Sequence, residues 1–144
     1  MGSDYLIQSG NVIFKCTKTD RRQLTDIVEK QIKNYFGFDV PVIIKTKEEL
    51  KRIIEINPFP EQTISLYLTL LSDEVEPYTE IQHYLPDQSI LEKDVVYIVC
   101  PNGYGNTKLN NTFFEKKFKV KATTRNWKTM NEILKLAKNL IFKH

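Results

Sequence analysis

Apolar and polar residues alternate near the start of the chain, with Val12, Phe14 and Cys16 on one side of the pattern and Lys15 on the other. A period of two is typical of a strand that is buried on one face only. We therefore predict a half-buried strand over residues 11–16, followed by a change to helical spacing.

Two helices are predicted in the first half of the chain from their capping residues. The first begins after Asp20 and ends at Gly37, because glycine adopts the left-handed conformation of a helix C-cap at low cost. The second begins after Thr46, which forms a capping-box pattern with Glu49 at the third following position. Residues 40–45, between the two helices, are mostly apolar and are predicted to form a short strand.

The second half of the chain carries the stronger strand patterns. Residues 63–71 have apolar side chains on both sides, which is typical of an interior strand. Residues 87–100 are predicted to form a hairpin whose turn lies at residues 92–94. Three helical stretches complete the pattern, at residues 77–84, at residues 107–118 and from Trp127 onward.

These elements predict the α+β class, as a two-layer mixed sheet on which helices pack. With 144 residues, the chain suits one domain over residues 1–144, or two small lobes over residues 1–60 and 61–144 that share a core. Hydrophobic residues make up 41% of the chain and charged residues 27%, which is ordinary for a globular protein of the cytosol. Because no apolar stretch is long enough to cross a bilayer and no signal peptide is visible, we expect a cytoplasmic protein without a membrane partner.

Few residues are available for metal binding or nucleophilic catalysis. The chain has only two histidines, His83 and His144, so neither a histidine-rich metal site nor a Ser-His-Asp triad is expected. The two cysteines, Cys16 and Cys100, lie far apart in strand patterns, which indicates reduced, buried thiols rather than a disulfide. We therefore predict no metal, no cofactor and no catalytic residue, and the alternative of an enzyme with an unknown reaction stays open.

Cys100 is the candidate nucleophile, because it ends a predicted strand just before a glycine-containing loop. Reactive groups of α/β proteins often lie at strand ends, and Lys108 nearby would lower the pKa of a thiol. No histidine can be argued to lie close to it, however. We therefore expect Cys100 to be a buried and unreactive strand cysteine.

Charge divides the chain into an acidic and a basic part. Residues 1–100 contain eleven Lys or Arg against sixteen Asp or Glu, a net charge of −5, whereas residues 101–144 contain ten against two, a net charge of +8. The basic part indicates an anionic partner, either nucleic acid or an acidic stretch of the same fold or of another protein. Tyr104 and Trp127 could stack on bases, although the helical spacing assigns Trp127 to the core.

The sharpest candidate for a site is the loop PNGYGNTK at residues 101–108. Gly103 and Gly105 allow the backbone to turn its N–H groups outward, and Thr107 is placed to cap a following helix. The helix dipole and Lys108 would then favour a bound anion. Arg125 could complete a clamp, because its planar guanidinium matches the oxygens of phosphate or carboxylate.

The glycine spacing of this loop matches neither the phosphate-loop pattern nor the dinucleotide-binding pattern. An alternative interpretation is that the glycines only permit a turn and that the lysine is solvated. Under the anion-site hypothesis, the predicted ligand-binding residues are Asn102, Gly103, Gly105, Asn106, Thr107, Lys108, Arg125 and Asn126.

Five motifs follow one another along nearly the whole chain: YLIQSGNVIF at residues 5–14, FGFDVPV at 36–42, NPFP at 57–60, PNGYG with KL at 101–105 and 108–109, and ATTRNW at 122–127. Together they closely resemble the bacterial domain of unknown function 1697 family. The resemblance implies a compact bacterial α+β protein with two similar lobes of sheet and helix. It implies no activity, because none is assigned to the family.

Members of this family usually begin with a further strand, a loop of the Arg-Gly-Ile-Asn type and a helix before the QSGN motif. Here residues 1–4 lead almost directly to QSGN at residues 8–11, so the chain is either truncated or a shortened member. Absence of those elements would expose a neighbouring strand, and we therefore expect edge pairing or a homodimer through an exposed sheet edge.

The sequence as a whole predicts non-catalytic binding of an anionic or phosphate-bearing small molecule at residues 103–108. Three alternatives stay open: a nucleic-acid-binding module, a protein-interaction domain and an enzyme of unknown reaction.

Overall fold

The structure is a computed structural model and describes residues 5–8, 11–14, 20–40, 42–76 and 84–141. Its elements follow one another as β1 Tyr5–Gln8, β2 Asn11–Phe14, α1 Arg21–Phe36, α2 Lys47–Glu55, β3 Leu66–Leu71, β4 Gln88–Glu92, β5 Val95–Val99, α3 Asn111–Phe118, β6 Ala122–Asn126 and α4 Trp127–Ile141. Short 3₁₀ turns lie at Thr63–Ser65 and Tyr104–Asn106. The predicted α+β class is confirmed.

Four strands form one sheet in the order β4-β5-β3-β6, and β1 pairs with β2 in a separate hairpin. Every strand pair in the described part of the chain is antiparallel, so the sheet is not of the expected mixed type. The central strand is β3, in which Leu68 lies opposite Tyr97 of β5 and opposite Arg125 of β6. This position confirms the interior strand predicted from apolar side chains on both of its sides.

Helices cover both faces of the sheet. On one face, α2 and α4 pack against β3 and β5 through a cluster that includes Leu50, Leu68, Tyr97 and Met130. On the other face, α3 contributes Phe114 to a second cluster. Because β5 is buried along its whole length, both of its faces need a covering layer, and the sheet is the middle of three layers rather than one of two.

The predicted helix caps of the first half of the chain are confirmed. The Asp20 side chain accepts a hydrogen bond from the backbone N–H of Gln23, and Gly37 ends α1 with a left-handed φ of 83°. At the start of α2, Thr46 and Glu49 form both bonds of a capping box. The hairpin predicted around residues 92–94 is also confirmed, as β4 and β5.

Residues 42–45 form no strand, so the strand predicted over residues 40–45 is wrong. Ile43 packs against the core, and the amino group of Lys45 donates to the carbonyl oxygen of Leu71 at 3.2 Å. No described strand pairs with the segment, and a strand exists only when a partner supplies the backbone hydrogen bonds.

Several predictions fall on residues outside those described. They concern the helix at residues 77–84, of which only Tyr84 is described, and the side chains of Cys16, His83 and His144. The division into lobes at residue 60 and a homodimer through a sheet edge also stay predictions. Within the described part of the chain, no helix is long and apolar enough to cross a membrane.

Candidate functional site

The loop at residues 101–108 begins where β5 ends and turns at Gly103. Its φ of 89° and ψ of 151° lie in a region that is open essentially to glycine alone, and its N–H donates a 3.0 Å hydrogen bond to the carbonyl oxygen of Cys100. Gly105 has no such requirement, because its φ lies outside the left-handed region and an added Cβ would meet no atom within 4 Å. Of the two glycines, only Gly103 is therefore required by the backbone conformation of the loop.

Asn106 closes the loop on itself. Its Nδ2 donates a 2.7 Å hydrogen bond to the carbonyl oxygen of Asn102, and its backbone N–H donates to the carbonyl oxygen of Gly103 at 3.2 Å. Both asparagines are exposed. These hydrogen bonds therefore hold the turn on the side that faces solvent.

Thr107 does not cap a helix, contrary to the prediction from the sequence. Its Oγ1 donates to Oδ2 of Asp87 at 2.6 Å and accepts from the N–H of Leu109 at 3.1 Å. The N-cap of α3 is Asn110, whose side chain accepts from the N–H of Phe113 at 2.9 Å. Leu109 is fully buried, and α3 starts only at Asn111, after the Asn110 cap.

Tyr104 links the loop to a buried polar network. Its hydroxyl donates to Oγ1 of Thr124 at 3.2 Å, and Thr124 in turn bonds to Oγ1 of Thr69 at 2.8 Å and donates to Oδ1 of Asn111 at 2.6 Å. The Tyr104 ring also lies with its centroid 5.1 Å from that of Tyr67. Tyr104 is thus part of the packing between the loop and the sheet.

Arg125 lies on the opposite face of the sheet from this network. Side chains alternate along a strand, so Thr124 points to the α3 layer and Arg125 to the other layer. There its Nε donates to Oδ1 of Asn11 at 2.8 Å and one terminal nitrogen donates to Oγ1 of Thr123 at 2.7 Å. The structure therefore does not bring Arg125 together with Lys108. Burial also lowers the pKa of the Arg125 guanidinium.

The remaining predicted site residues have separate roles. Asn126 accepts a 2.8 Å hydrogen bond from the N–H of Thr129 at the start of α4, which is the geometry of a helix cap. Lys108 is exposed and has no hydrogen bond or ion pair with any residue that the structure describes. Trp127 packs against the core, which confirms the assignment from helical spacing.

The Cys100 thiol is buried, with 2% of the residue exposed, as predicted. Its pKa is raised to about 11, mainly by burial and to a smaller extent by the nearby carboxylate of Asp87. The thiol therefore stays protonated at neutral pH, which disfavours a role as nucleophile. Among the described residues, no group of three or more His, Cys, Asp or Glu side chains could hold a metal ion.

A cavity that the sequence did not indicate lies at the other end of the sheet. It has a volume of about 670 Å³ and is lined by the first turns of α1, by residues 42–44 and by Ser72, Asp73 and Lys121. These stretches are far apart in the chain. The sequence signal for it was the strand-like pattern of residues 40–45, with which no strand in the described part of the chain pairs.

Comparison with known proteins gives a family but no function. The profile of a family described as "Protein of unknown function (DUF1697)" matches residues 4–98, more than half of the chain, and the chain therefore belongs to this family. The candidate loop lies just beyond the matched range. No curated protein and no solved structure was found to match the chain.

Proposed function

We propose that this member of the family binds a small anionic or phosphate-bearing ligand, without catalysis, at the loop formed by residues 102–108. The observation that carries the proposal is the state of Lys108: an exposed lysine without a partner among the described residues, at the end of a loop in which the side chains of Tyr104, Asn106 and Thr107 are hydrogen-bonded. The composition of the chain favours the cytoplasm as its location, and the family resemblance favours a bacterial source.

The loop is preorganised for binding. Hydrogen bonds of Tyr104, Asn106 and Thr107 hold it to the sheet and to itself, so a ligand need not order it. The backbone N–H groups of Tyr104, Gly105 and Lys108 have no acceptor among the residues that the structure describes. Unpaired N–H groups beside an ammonium are the groups that coordinate phosphate and carboxylate oxygens.

The proposed site is smaller than the one predicted from the sequence. Arg125 lies across the sheet and Asn126 caps α4, so neither belongs to the proposal. Asp87 limits where the anion can bind, because its carboxylate lies behind Thr107 on the sheet side of the loop. The ligand is therefore expected on the solvent side, against Lys108.

Nucleic acid is the less favoured partner. Single-stranded binding usually requires aromatic faces on which bases stack. Tyr104 packs beside Tyr67 and Trp127 packs against the core, so neither side chain is offered as a platform. Binding of RNA or DNA is therefore treated as an alternative outcome of the test below.

The test is a thermal-shift screen at low salt against phosphate, sulfate, common nucleotides and short RNA and DNA. A ligand at one hundred times its dissociation constant adds about 2.7 kcal/mol to the free energy of unfolding. We expect a small anion to stabilise the parent chain and the control variant Lys135→Ala, which removes an exposed lysine of α4, but not Lys108→Ala.

Two outcomes would overturn the proposal. Equal stabilisation of both lysine variants would mean that the anion binds elsewhere. Stabilisation by RNA or DNA alone, lost steeply as salt is added, would indicate a nucleic-acid-binding module instead.

A further inference from the structure

The strand β4 lies at one end of the four-stranded sheet, and its outer edge has no partner strand among the described residues. Its residues Gln88–Glu92 pair one to one with β5, so the strand contains no bulge, and it contains no proline. Proteins often protect a free edge with one of these features, because unpaired backbone groups invite a further strand. The edge of β4 is thus a regular strand edge that lacks both protections.

The hydrogen bonds between β3 and β5 show how the backbone of β5 is oriented. The N–H of Leu71 donates to the carbonyl oxygen of Asp94 at 2.8 Å, and the N–H of Cys100 donates to that of Ser65 at 2.9 Å. Backbone groups of successive residues point to opposite sides of a strand. The even-numbered residues of β5 therefore face β3, and its odd-numbered residues face β4.

The outward groups of β4 follow from the same alternation. The odd-numbered residues of β5 lie opposite Gln88, Ile90 and Glu92, whose backbone groups are thus directed at β5. The N–H and C=O groups of Ser89 and Leu91 consequently point away from the sheet. None of these four groups forms a hydrogen bond with a residue that the structure describes.

The free edge is closed at both of its ends. Beyond one end, the N–H of Val75 donates to the carbonyl oxygen of Lys93 at 3.2 Å. Beyond the other end, the N–H of Asp87 donates to the carbonyl oxygen of Tyr84 at 3.0 Å. The part of the edge that a further strand can use is therefore limited to the four outward groups of β4.

The opposite edge of the sheet is formed by β6, and other elements lie along it. The N–H of Ala122 donates to Oε2 of Glu115 at 3.2 Å, and the Nε of Arg125 donates to Asn11 of β2 at 2.8 Å. These contacts come from the α3 layer and from the β1–β2 hairpin. Of the two edges, β4 is therefore the one at which the sheet can continue.

A second copy of the chain fits this edge in one register. Residues directly opposite each other in an antiparallel pair exchange two hydrogen bonds or none. With a two-fold axis at Ile90, Ser89 lies opposite Leu91 of the second copy, and all four outward groups are paired. An axis at Ser89 would place Leu91 opposite Asp87, whose N–H is already bonded. An axis at Leu91 would place Ser89 opposite Lys93, whose C=O is already bonded.

The side chains are complementary in this register. Ile90, which is 38% exposed, lies opposite the same residue of the second copy and shields it from water. Gln88 lies opposite Glu92, so that an amide N–H can donate to a carboxylate. Just beyond the strand, Asp87 lies opposite Lys93. Because no like charges are directly opposite each other, the charges along this edge suit a second, antiparallel copy.

We infer that the chain forms a two-fold dimer in which two β4 strands pair about Ile90. The pairing joins the two four-stranded sheets into one continuous sheet. The inference concerns a different surface from the anion-binding loop and does not depend on that proposal.

Cysteine cross-linking tests the register. In a Cys16→Ser, Cys100→Ala background, which retains no other thiol, Ile90→Cys places two thiols at the axis, and Glu92→Cys is the matched control. The two copies of residue 92 lie roughly 14 Å apart in this register, whereas a disulfide needs Cα atoms within about 7 Å. We expect oxidised glutathione to cross-link the Ile90→Cys chain only. Equal cross-linking of both variants, or none of Ile90→Cys, would overturn the inference.

Charge substitution at the axis tests the identity of the partner. Ile90→Lys and Ile90→Glu each place like charges opposite each other, so each variant alone should lose the dimer at a concentration at which the parent chain is dimeric. An equimolar mixture of the two should regain it, as measured by sedimentation velocity. Tyr35→Lys is the matched control, because Tyr35 is 83% exposed at the end of α1. A monomeric parent, a mixture that stays monomeric, or an equal loss in Tyr35→Lys would overturn the inference.

Amide hydrogen exchange of the parent chain requires no substitution. On dilution from dimer to monomer, the N–H groups of Ser89 and Leu91 should lose their protection, while that of Ile90 keeps its protection because it is directed at β5. Protection of all three at every concentration would mean that this chain itself covers the edge. Exchange of Ser89 and Leu91 in the dimer as fast as in the monomer would place the interface elsewhere. Either result would contradict the inferred pairing.

Discussion

Thr107 donates a 2.6 Å hydrogen bond from its Oγ1 to Oδ2 of Asp87, the residue that precedes β4. The bond fastens the proposed anion-binding loop to a distant strand of the chain. The same hydroxyl accepts from the N–H of Leu109, so one buried side chain holds both sides of the loop exit. The conformation of the loop therefore depends on Thr107 more than on any residue that faces the proposed ligand.

Replacement of Thr107 by valine tests this dependence, because valine keeps the shape of threonine without its hydroxyl. We expect the free energy of unfolding to fall by about 2 kcal/mol, since the buried N–H of Leu109 and the Asp87 carboxylate lose a partner. Urea unfolding measures the change, with Thr112→Val at an exposed position of α3 as the control. A loss of the same size in both variants would contradict the role given to Thr107.

The two glycines of the loop should respond differently to alanine. Gly103→Ala places a Cβ at a φ of 89° and should lower the free energy of unfolding by about 1–3 kcal/mol. Gly105→Ala meets no atom and should be neutral or slightly stabilising, because alanine restricts the unfolded chain. Urea unfolding of both variants, compared with the parent, provides the measurement; a larger loss for Gly105→Ala would show that the backbone path is different.

Arg125 should affect stability and not anion binding. Lysine cannot reproduce the separate bonds from Nε to Asn11 and from a terminal nitrogen to Thr123, so Arg125→Lys should cost about 2 kcal/mol. Phosphate affinity, measured by calorimetry, should stay within a factor of two of the parent. If Arg125→Lys lowered the phosphate affinity tenfold without lowering the free energy of unfolding, Arg125 would belong to the anion site, as predicted from the sequence.

The free energy of unfolding should fall as the pH rises above 9. The pKa of Cys100 is raised in the folded state from its usual 9.0 to about 11, so the unfolded chain loses this proton first and deprotonation favours unfolding between those values. Burial also raises the pKa of Tyr97, which acts in the same direction at higher pH. Urea unfolding at pH 7, 9 and 10.5 measures the slope.

The Cys100→Ala variant is the control for this pH dependence. It should remove the part of the slope between pH 9 and about 11 and retain the contribution of Tyr97. In a Cys16→Ser background, the Cys100 thiol of the folded chain should react with a disulfide reagent far more slowly than that of the unfolded chain. Rapid reaction at pH 7 would return Cys100 to the candidates for catalysis.

Much of the fold could be predicted from the sequence because it follows from local chemistry. The capping box of Thr46 and Glu49, the glycine that ends α1 and the hairpin turn each depend on residues within a few positions of one another. The apolar character of β3 on both sides likewise indicated an interior strand. From these local features alone, the α+β class could be derived.

The site could be predicted only in part, because it depends on which distant residues meet. The sequence itself indicated a glycine turn in the loop and a lysine, Lys108, at its end, whereas the strand β6, which sends Thr124 and Arg125 to opposite faces of the sheet, was not predicted. Only the tertiary structure decided that the loop lies on the Thr124 face, that Asp87 binds Thr107 and that none of the described strands pairs with residues 42–45. The physical reason is that capping and turns act within a few residues, whereas burial and strand pairing are settled by contacts between segments far apart in the chain.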